Sequence, residues 1–159
     1  MKFENFAFVV GINYGSMTLK HGVVKINLHR PNEISTHGQI PTIKHGEAAA
    51  VYCNTMYVSG LGNHVNEIWK YNMASGWLKC ASLLDQGRIG HCSAFVDDVL
   101  YICGGVAGVL ACSPVQFSVE AFNAVTDECN TVGQLVHGVS NSGNCVPFRS
   151  SLYIFGGKD

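Results

Sequence analysis

The sequence predicts an all-β fold built from about three and a half four-stranded units. A short apolar run that ends in glycine recurs along the chain, and no segment shows the 3.6-residue period of a helix. The aromatic residues of successive runs lie 49, 44 and 52 residues apart, close to the period of about 40–50 residues that is typical of propeller blades. The runs are FVVGI from Phe8, YVSGL from Tyr57, YICGG from Tyr101 and YIFGG from Tyr153.

Each of the last three runs is predicted to be the second strand of a hairpin. A polar pair separates the two strands: Cys53-Asn54, Asp97-Asp98 or Arg149-Ser150. Short polar pairs between apolar strands are typical of hairpin turns. A variable loop follows the glycines and leads to a third and a fourth strand. The third strands are predicted at 23–27, 67–72 and 118–123, and the fourth strands begin near Ile34, Trp77 and Cys129.

Composition restricts the classes of partner. Charged residues make up only 13% of the chain and the formal net charge is −1, whereas phosphate binding requires a concentrated basic face. No apolar run approaches the roughly 18 residues of a membrane span. We therefore expect no nucleic acid and no membrane as a partner. The seven cysteines are odd in number and form no C-x-x-C pair, which favours reduced thiols and a cytoplasmic location.

The motif residues resemble the kelch repeat. Arg88 and His91 form an R-x-x-H pattern, Gly104-Gly105 follow the second strand, and Trp77 comes six residues after Tyr71. The resemblance covers nearly the whole chain and implies a partial kelch β-propeller. It divides the chain into a degenerate kelch-like blade at 1–43, kelch repeats at 44–87 and 88–139, and a truncated kelch repeat at 140–159.

The resemblance implies a protein-interaction module and not an enzyme. In kelch-like (BTB-kelch) proteins the propeller recruits a substrate, and a BTB domain engages a cullin-RING ubiquitin ligase. The 159 residues contain no BTB domain, so the implied role is substrate recognition within such an adaptor. Two alternatives stay open: an actin- or scaffold-associated kelch protein without a ubiquitin role and, more remotely, a copper oxidase-like propeller enzyme.

No catalytic residue, cofactor or metal ligand is expected from the sequence. No Ser-His-Asp set or carboxylate pair is apparent. The histidines at 21, 29, 37 and 45 recur every eight residues. Pro31 and Pro41 interrupt any continuous strand that could place these four histidines on one face, so the histidines are not expected to bind a metal.

The expected partner is a protein or peptide bound at the propeller rim. Propeller function normally resides in loops that a rigid scaffold carries, and residues at equivalent positions of successive blades share one rim. The apolar loop at 106–117 is either a partner contact or a segment folded over its own blade. Self-association through open blade edges is a further expectation. The candidate partner-binding residues are Lys44, Arg88 and Ser140, each just before the first strand of its unit, together with Asn63 and His64.

Overall fold

The structure, a computed structural model, describes residues 6–13, 20–39, 47–61, 65–83, 87–107, 113–140 and 143–157. All regular secondary structure in these ranges is β-strand. The chain divides into two compact units, Met1–Ile43 and Lys44–Asp159.

The first unit contains a three-stranded antiparallel sheet in the order β1-β2-β3. A two-residue turn joins the last two strands, and the side-chain oxygen of Asn27 accepts hydrogen bonds from the backbone N–H groups of His29 and Arg30 at 3.0 and 3.3 Å. The strands predicted at 8–12 and 23–27 and near Ile34 are confirmed. Their bounds are β1 (Phe6–Asn13), β2 (Lys20–Asn27) and β3 (Arg30–Gln39).

The second unit begins with a four-stranded antiparallel sheet in sequence order, here called the first sheet. Its first turn is Cys53-Asn54, as predicted, and both residues have positive φ angles of 46° and 59°. This pair of angles is typical of the type I′ turn that matches the twist of a hairpin. The strands are β4 (Ala48–Tyr52), β5 (Thr55–Leu61), β6 (Glu67–Asn72) and β7 (Gly76–Ser82).

The next repeat forms another four-stranded sheet, the second sheet, in the order β9-β10-β12-β13, with the short pair β8-β11 separate from it. This short pair was not expected, because two-residue strands leave no periodic pattern in a sequence. The turn at Asp97-Asp98 lies where the sequence predicts it. The strands are β8 (Arg88–Ile89), β9 (Cys92–Val96), β10 (Val99–Cys103), β11 (Val106–Ala107), β12 (Ser118–Asn123) and β13 (Glu128–Gln134).

The last described element is a hairpin of β14 (Asn144–Phe148) and β15 (Ser151–Phe155), closed by the predicted turn at Arg149-Ser150. Phe148, Tyr153 and Phe155 are exposed on it. Within the described residues, β15 pairs with β14 alone.

The core of the second unit takes side chains from both four-stranded sheets. The Tyr57 ring packs against Phe95 at 5.1 Å and against Phe122 at 6.0 Å between ring centroids. Trp77 is only half-buried and packs on Tyr71 at 5.1 Å, so Tyr57 and Phe122 form the centre of the core. The cluster comprises Tyr57, Ile68, Leu83, Phe95, Leu100, Ile102, Phe122 and Cys129.

The strand registers give the second unit two distinct ends. We call the end with the tight turns at 53–54, 97–98 and 149–150 the turn end. The longer connections lie at the opposite end, the loop end. Backbone hydrogen bonds join these connections, from Arg88 N to Val65 O at 3.0 Å and from Gly105 N to Val139 O at 2.6 Å. The described parts of these connections are therefore tied to one another at the loop end.

Candidate functional site

Arg88 lies on β8 at the loop end and is fully buried. Its guanidinium forms an ion pair with the equally buried carboxylate of Glu120 on β12. It also donates a hydrogen bond to the Ser118 hydroxyl at 2.7 Å and one each to the Ser118 and Gly104 carbonyl oxygens at 3.1 Å. The expectation that Arg88 contacts a partner on the rim is therefore wrong, because this guanidinium is used to hold β8 against β12.

His91 completes the R-x-x-H pattern as a structural residue. It is buried, and its Nε2 lies 2.8 Å from the Ser59 hydroxyl oxygen on β5. Burial disfavours the charged imidazolium, and the nearby Arg88 charge adds to this, so that the pKa of His91 falls to about 4. The neutral imidazole thus links β5 of the first sheet to the residue that precedes β9 of the second sheet.

This link predicts a pH-dependent stability. His91 has a pKa of about 4 in the folded chain and about 6.5 in the unfolded chain. The unfolded state therefore binds more protons between these values, and stability falls as the pH falls through this window. We expect the free energy of unfolding to be about 2 kcal/mol lower at pH 5 than at pH 7 from this group. Urea unfolding at both pH values measures it.

The matched control is His91→Gln, which keeps a hydrogen-bonding side chain without an ionisable group. This variant should lose that part of the pH dependence. An unchanged difference between pH 5 and pH 7 in His91→Gln would mean that other groups cause it.

The remaining predicted site residues do not form a described cluster. Ser140 is only 4% exposed. The backbone of Gly157 packs against it so closely that an added Cβ on Gly157 would lie 3.2 Å from the Ser140 backbone oxygen. A partner therefore cannot reach the Ser140 side chain in this structure, and the expected rim contact there is also wrong. Lys44, Asn63 and His64 lie outside the described residues, so their role stays a prediction.

The described part of the apolar loop folds back on its own sheet. Val106 forms a β-bridge with Val115, and the backbone N–H of Gln116 donates to the Gly105 carbonyl at 2.8 Å. The strand β11 in turn pairs with β8. The two alternatives for this loop were a partner contact and a segment folded over its own blade. The described residues follow the second alternative. Phe117, at its end, is nevertheless 44% exposed.

Phe117 belongs to an exposed patch at the loop end. Its carbonyl accepts a hydrogen bond from the backbone N–H of Leu135 at 2.7 Å. The two residues that follow Leu135 are Val136, which is 88% exposed, and His137, which is also exposed. We call Phe117, Val136 and His137 the loop-end patch. Sequence reasoning singled out the loop that contains Phe117 and missed the other two, which lie in a variable connection without any motif.

The described residues offer no candidate metal site. They contain no group of three or more His, Cys, Asp or Glu side chains that could hold a metal ion. Across the same ranges, no helix has the length and apolar character that a membrane span needs. The loop-end patch is the candidate site because Phe117 and Val136 are exposed apolar residues there, and its chemistry is that of a contact surface.

Comparisons with known proteins agree with this description. A family model described as "Kelch motif" matches residues 87–135. Kelch-like protein 25 of Xenopus laevis is 32% identical over 139 residues, and the human Kelch-like protein 25 is 31% identical over the same length. Each match covers 81% of this chain and 23% of the relative, so the chain spans about a quarter of the length of these relatives.

A solved structure shares the fold. The structure of YjhT matches with a TM-score of 0.65 at 22% sequence identity, over 76% of this chain and 36% of that chain. The sequence matches and this fold together confirm a partial kelch β-propeller. The chain belongs to the kelch-repeat family.

Proposed function

We propose that this chain is the substrate-recognition part of a cytoplasmic kelch-like adaptor of a cullin-RING ubiquitin ligase. The similarity to Kelch-like protein 25 over 81% of the chain carries the proposal. That similarity supports a protein-interaction module, and the kelch resemblance adds the adaptor role. The partner is a protein or peptide that binds at the loop end of the propeller.

The loop-end patch has the properties of a contact surface. Val136 is almost fully exposed, and Phe117 presents nearly half of its surface to solvent. Exposed apolar residues beside polar ones mark interaction sites when they cluster, and aromatic residues supply much of the binding energy at interfaces. We therefore infer a partner segment that places an apolar side chain against Phe117 and Val136. His137 offers it a hydrogen bond.

The test is Val136→Asp in the chain, with capture of cellular proteins and quantitative mass spectrometry. An aspartate within the patch would have to be desolvated against an apolar partner, so capture of the specific partner should fall at least about tenfold. The fold should be unchanged, because an exposed loop side chain contributes little to stability.

The control is Arg149→Ala, an exposed residue at the turn end. This variant should capture the same proteins as the unsubstituted chain. Equal capture by Val136→Asp and by the unsubstituted chain would place the recognition surface elsewhere.

A second experiment separates the adaptor role from its alternative. The protein expressed at full length from its own gene should co-purify with a cullin when it is precipitated from cells. Co-purification of cytoskeletal proteins without a cullin would instead indicate an actin- or scaffold-associated kelch protein.

A further inference from the structure

One face of the last hairpin is both apolar and exposed. In the register of β14 and β15, Val146 lies directly opposite Tyr153, and side chains two residues apart on a strand point to the same side of the sheet. Phe148 and Phe155 therefore share this face with them. We call these four residues the hairpin face. Their exposed fractions are 47% for Val146, 58% for Phe148, 52% for Tyr153 and 53% for Phe155.

The hairpin face corresponds to a side that is used for packing elsewhere in the second unit. Tyr57, Tyr101 and Tyr153 occupy equivalent positions in successive repeats. Tyr57 is only 5% exposed, because its ring lies against Phe95 and Phe122 of the second sheet. Tyr101 is half-buried in the second sheet, whose strand β9 contacts the hairpin. Tyr153 is exposed, so the hairpin presents to solvent the kind of face that packs against a neighbouring sheet.

The hairpin face is uncharged. Neither β14 nor β15 contains a charged residue, and Arg149 in the turn between them lies over the Phe148 ring, 5.3 Å from its centroid. A charged partner would find no opposite charge in these two strands. Two copies of the face meet without repulsion between like charges, and in an antiparallel arrangement the two Arg149 side chains lie at opposite ends. The charge pattern therefore favours a second copy of this chain as the occupant.

The apolar area is close to what a small dimer needs. An aromatic side chain buries about 150–250 Å², and about half of each of the three rings is exposed. The rings of two copies therefore offer roughly 600 Å² together, to which Val146 adds. The smallest stable interfaces bury about 1,200 Å², of which roughly 700 Å² is apolar. We therefore expect a weak and reversible dimer.

We propose that the hairpin face is a self-association surface, at which two copies of this chain pack through the same four residues about a two-fold axis. A residue close to such an axis meets its own counterpart. Tyr153 is central in the face, because Val146 lies opposite it and the Phe148 ring lies 6.3 Å from its ring between centroids. The two Tyr153 side chains therefore meet in the dimer. The proposal does not rest on the loop-end patch or on the adaptor role.

Sedimentation equilibrium of the 159-residue chain measures the association. We expect a monomer–dimer equilibrium with a Kd in the micromolar range, the weak end for interfaces of standard size. Tyr153→Lys brings two like charges together at the axis and should raise the Kd at least about tenfold. Tyr153→Glu should do the same. An equimolar mixture of the two variants should form a heterodimer, because opposite charges then meet.

A substitution on the other strand separates packing by faces from pairing along the edge of β15. Val146 lies on β14, away from that edge, so Val146→Lys should raise the Kd of a face contact at least about tenfold and leave edge pairing unchanged. The matched control is Val125→Lys, since Val125 is 73% exposed in the turn between β12 and β13. This variant should associate like the unsubstituted chain.

Three outcomes would overturn the proposal. The first is an unsubstituted chain that stays monomeric at about 200 μM, well above a micromolar Kd, since the face would then receive a different partner. The second is equal association of Val146→Lys and the unsubstituted chain, which would indicate pairing along the edge of β15. The third is a mixture of Tyr153→Lys and Tyr153→Glu that does not associate, because Tyr153 would then not meet its counterpart.

Discussion

Replacing Arg88 by alanine is expected to lower the free energy of unfolding by about 3–5 kcal/mol, the cost of removing one partner from a buried ion pair. The substitution leaves the Glu120 carboxylate fully buried without its guanidinium. It also removes the hydrogen bonds to Ser118 and to the Gly104 carbonyl. Urea unfolding followed by tryptophan fluorescence measures the loss, because both tryptophans lie in the first sheet.

Two further variants test whether the loss comes from the unpaired buried charge and not from the removal of an arginine as such. Arg149→Ala removes an exposed arginine whose guanidinium lies 5.3 Å from the centroid of the Phe148 ring, and it should change stability by less than about 1 kcal/mol. Arg88→Met combined with Glu120→Leu removes both charges, and it should regain much of the loss because no buried charge is left unpaired. If Arg88→Ala were as stable as Arg149→Ala, the buried pair would not contribute to the fold as described.

Gly104→Ala is expected to have the next largest effect, a loss of about 3 kcal/mol from backbone strain and steric overlap together. Gly104 has a φ angle of +69°, and a Cβ at this position would lie 2.3 Å from the Val139 carbonyl oxygen. The clash is with the backbone, so no side-chain rotation relieves it. The connection at 135–140 would have to move, and with it the hydrogen bond from Gly105 N to Val139 O. Thermal unfolding of the purified variant measures the loss.

Two other glycines provide matched controls. Gly76 has a φ of +71° with nothing within 4 Å of its Cβ position, so Gly76→Ala should cost only the strain, about 1 kcal/mol. Gly133 has neither feature, and Gly133→Ala should be close to neutral. The order Gly104, Gly76, Gly133 is the expected result. A Gly104→Ala loss no larger than that of Gly76→Ala would show that the contact with Val139 is not tight.

Both predictions concern residues that the sequence motif itself contains. The R-x-x-H pattern and the glycine pair belong to the packing of the loop end, where Arg88 pairs with Glu120 and His91 contacts Ser59. Among the described residues, Phe117, Val136 and His137 are exposed and lie between the motifs. The kelch motif thus builds the scaffold, and we propose that the variable connections serve recognition.

The strands and turns were predictable because their signals are local. A two-residue polar pair between apolar runs restricts the backbone to a hairpin, and the turns at 53–54, 97–98 and 149–150 lie where this pattern predicts. The short strands β8 and β11 were not predictable. They pair with each other through the backbone, while Arg88 of β8 is held against β12 by its ion pair with Glu120, and two residues carry no period of their own.

The sequence by itself determined the all-β class, the repeat and its kelch character, since strand alternation, turn chemistry and the spacing of glycines depend on neighbouring residues. Only the tertiary structure decided which polar side chains are buried. Arg88 resembles an exposed loop arginine until Glu120, 32 residues later, is brought against it. His91 likewise meets the Ser59 hydroxyl only when successive repeats pack. Burial and charge pairing depend on contacts between segments that are distant in the sequence, and a local sequence pattern does not show which distant segments will meet.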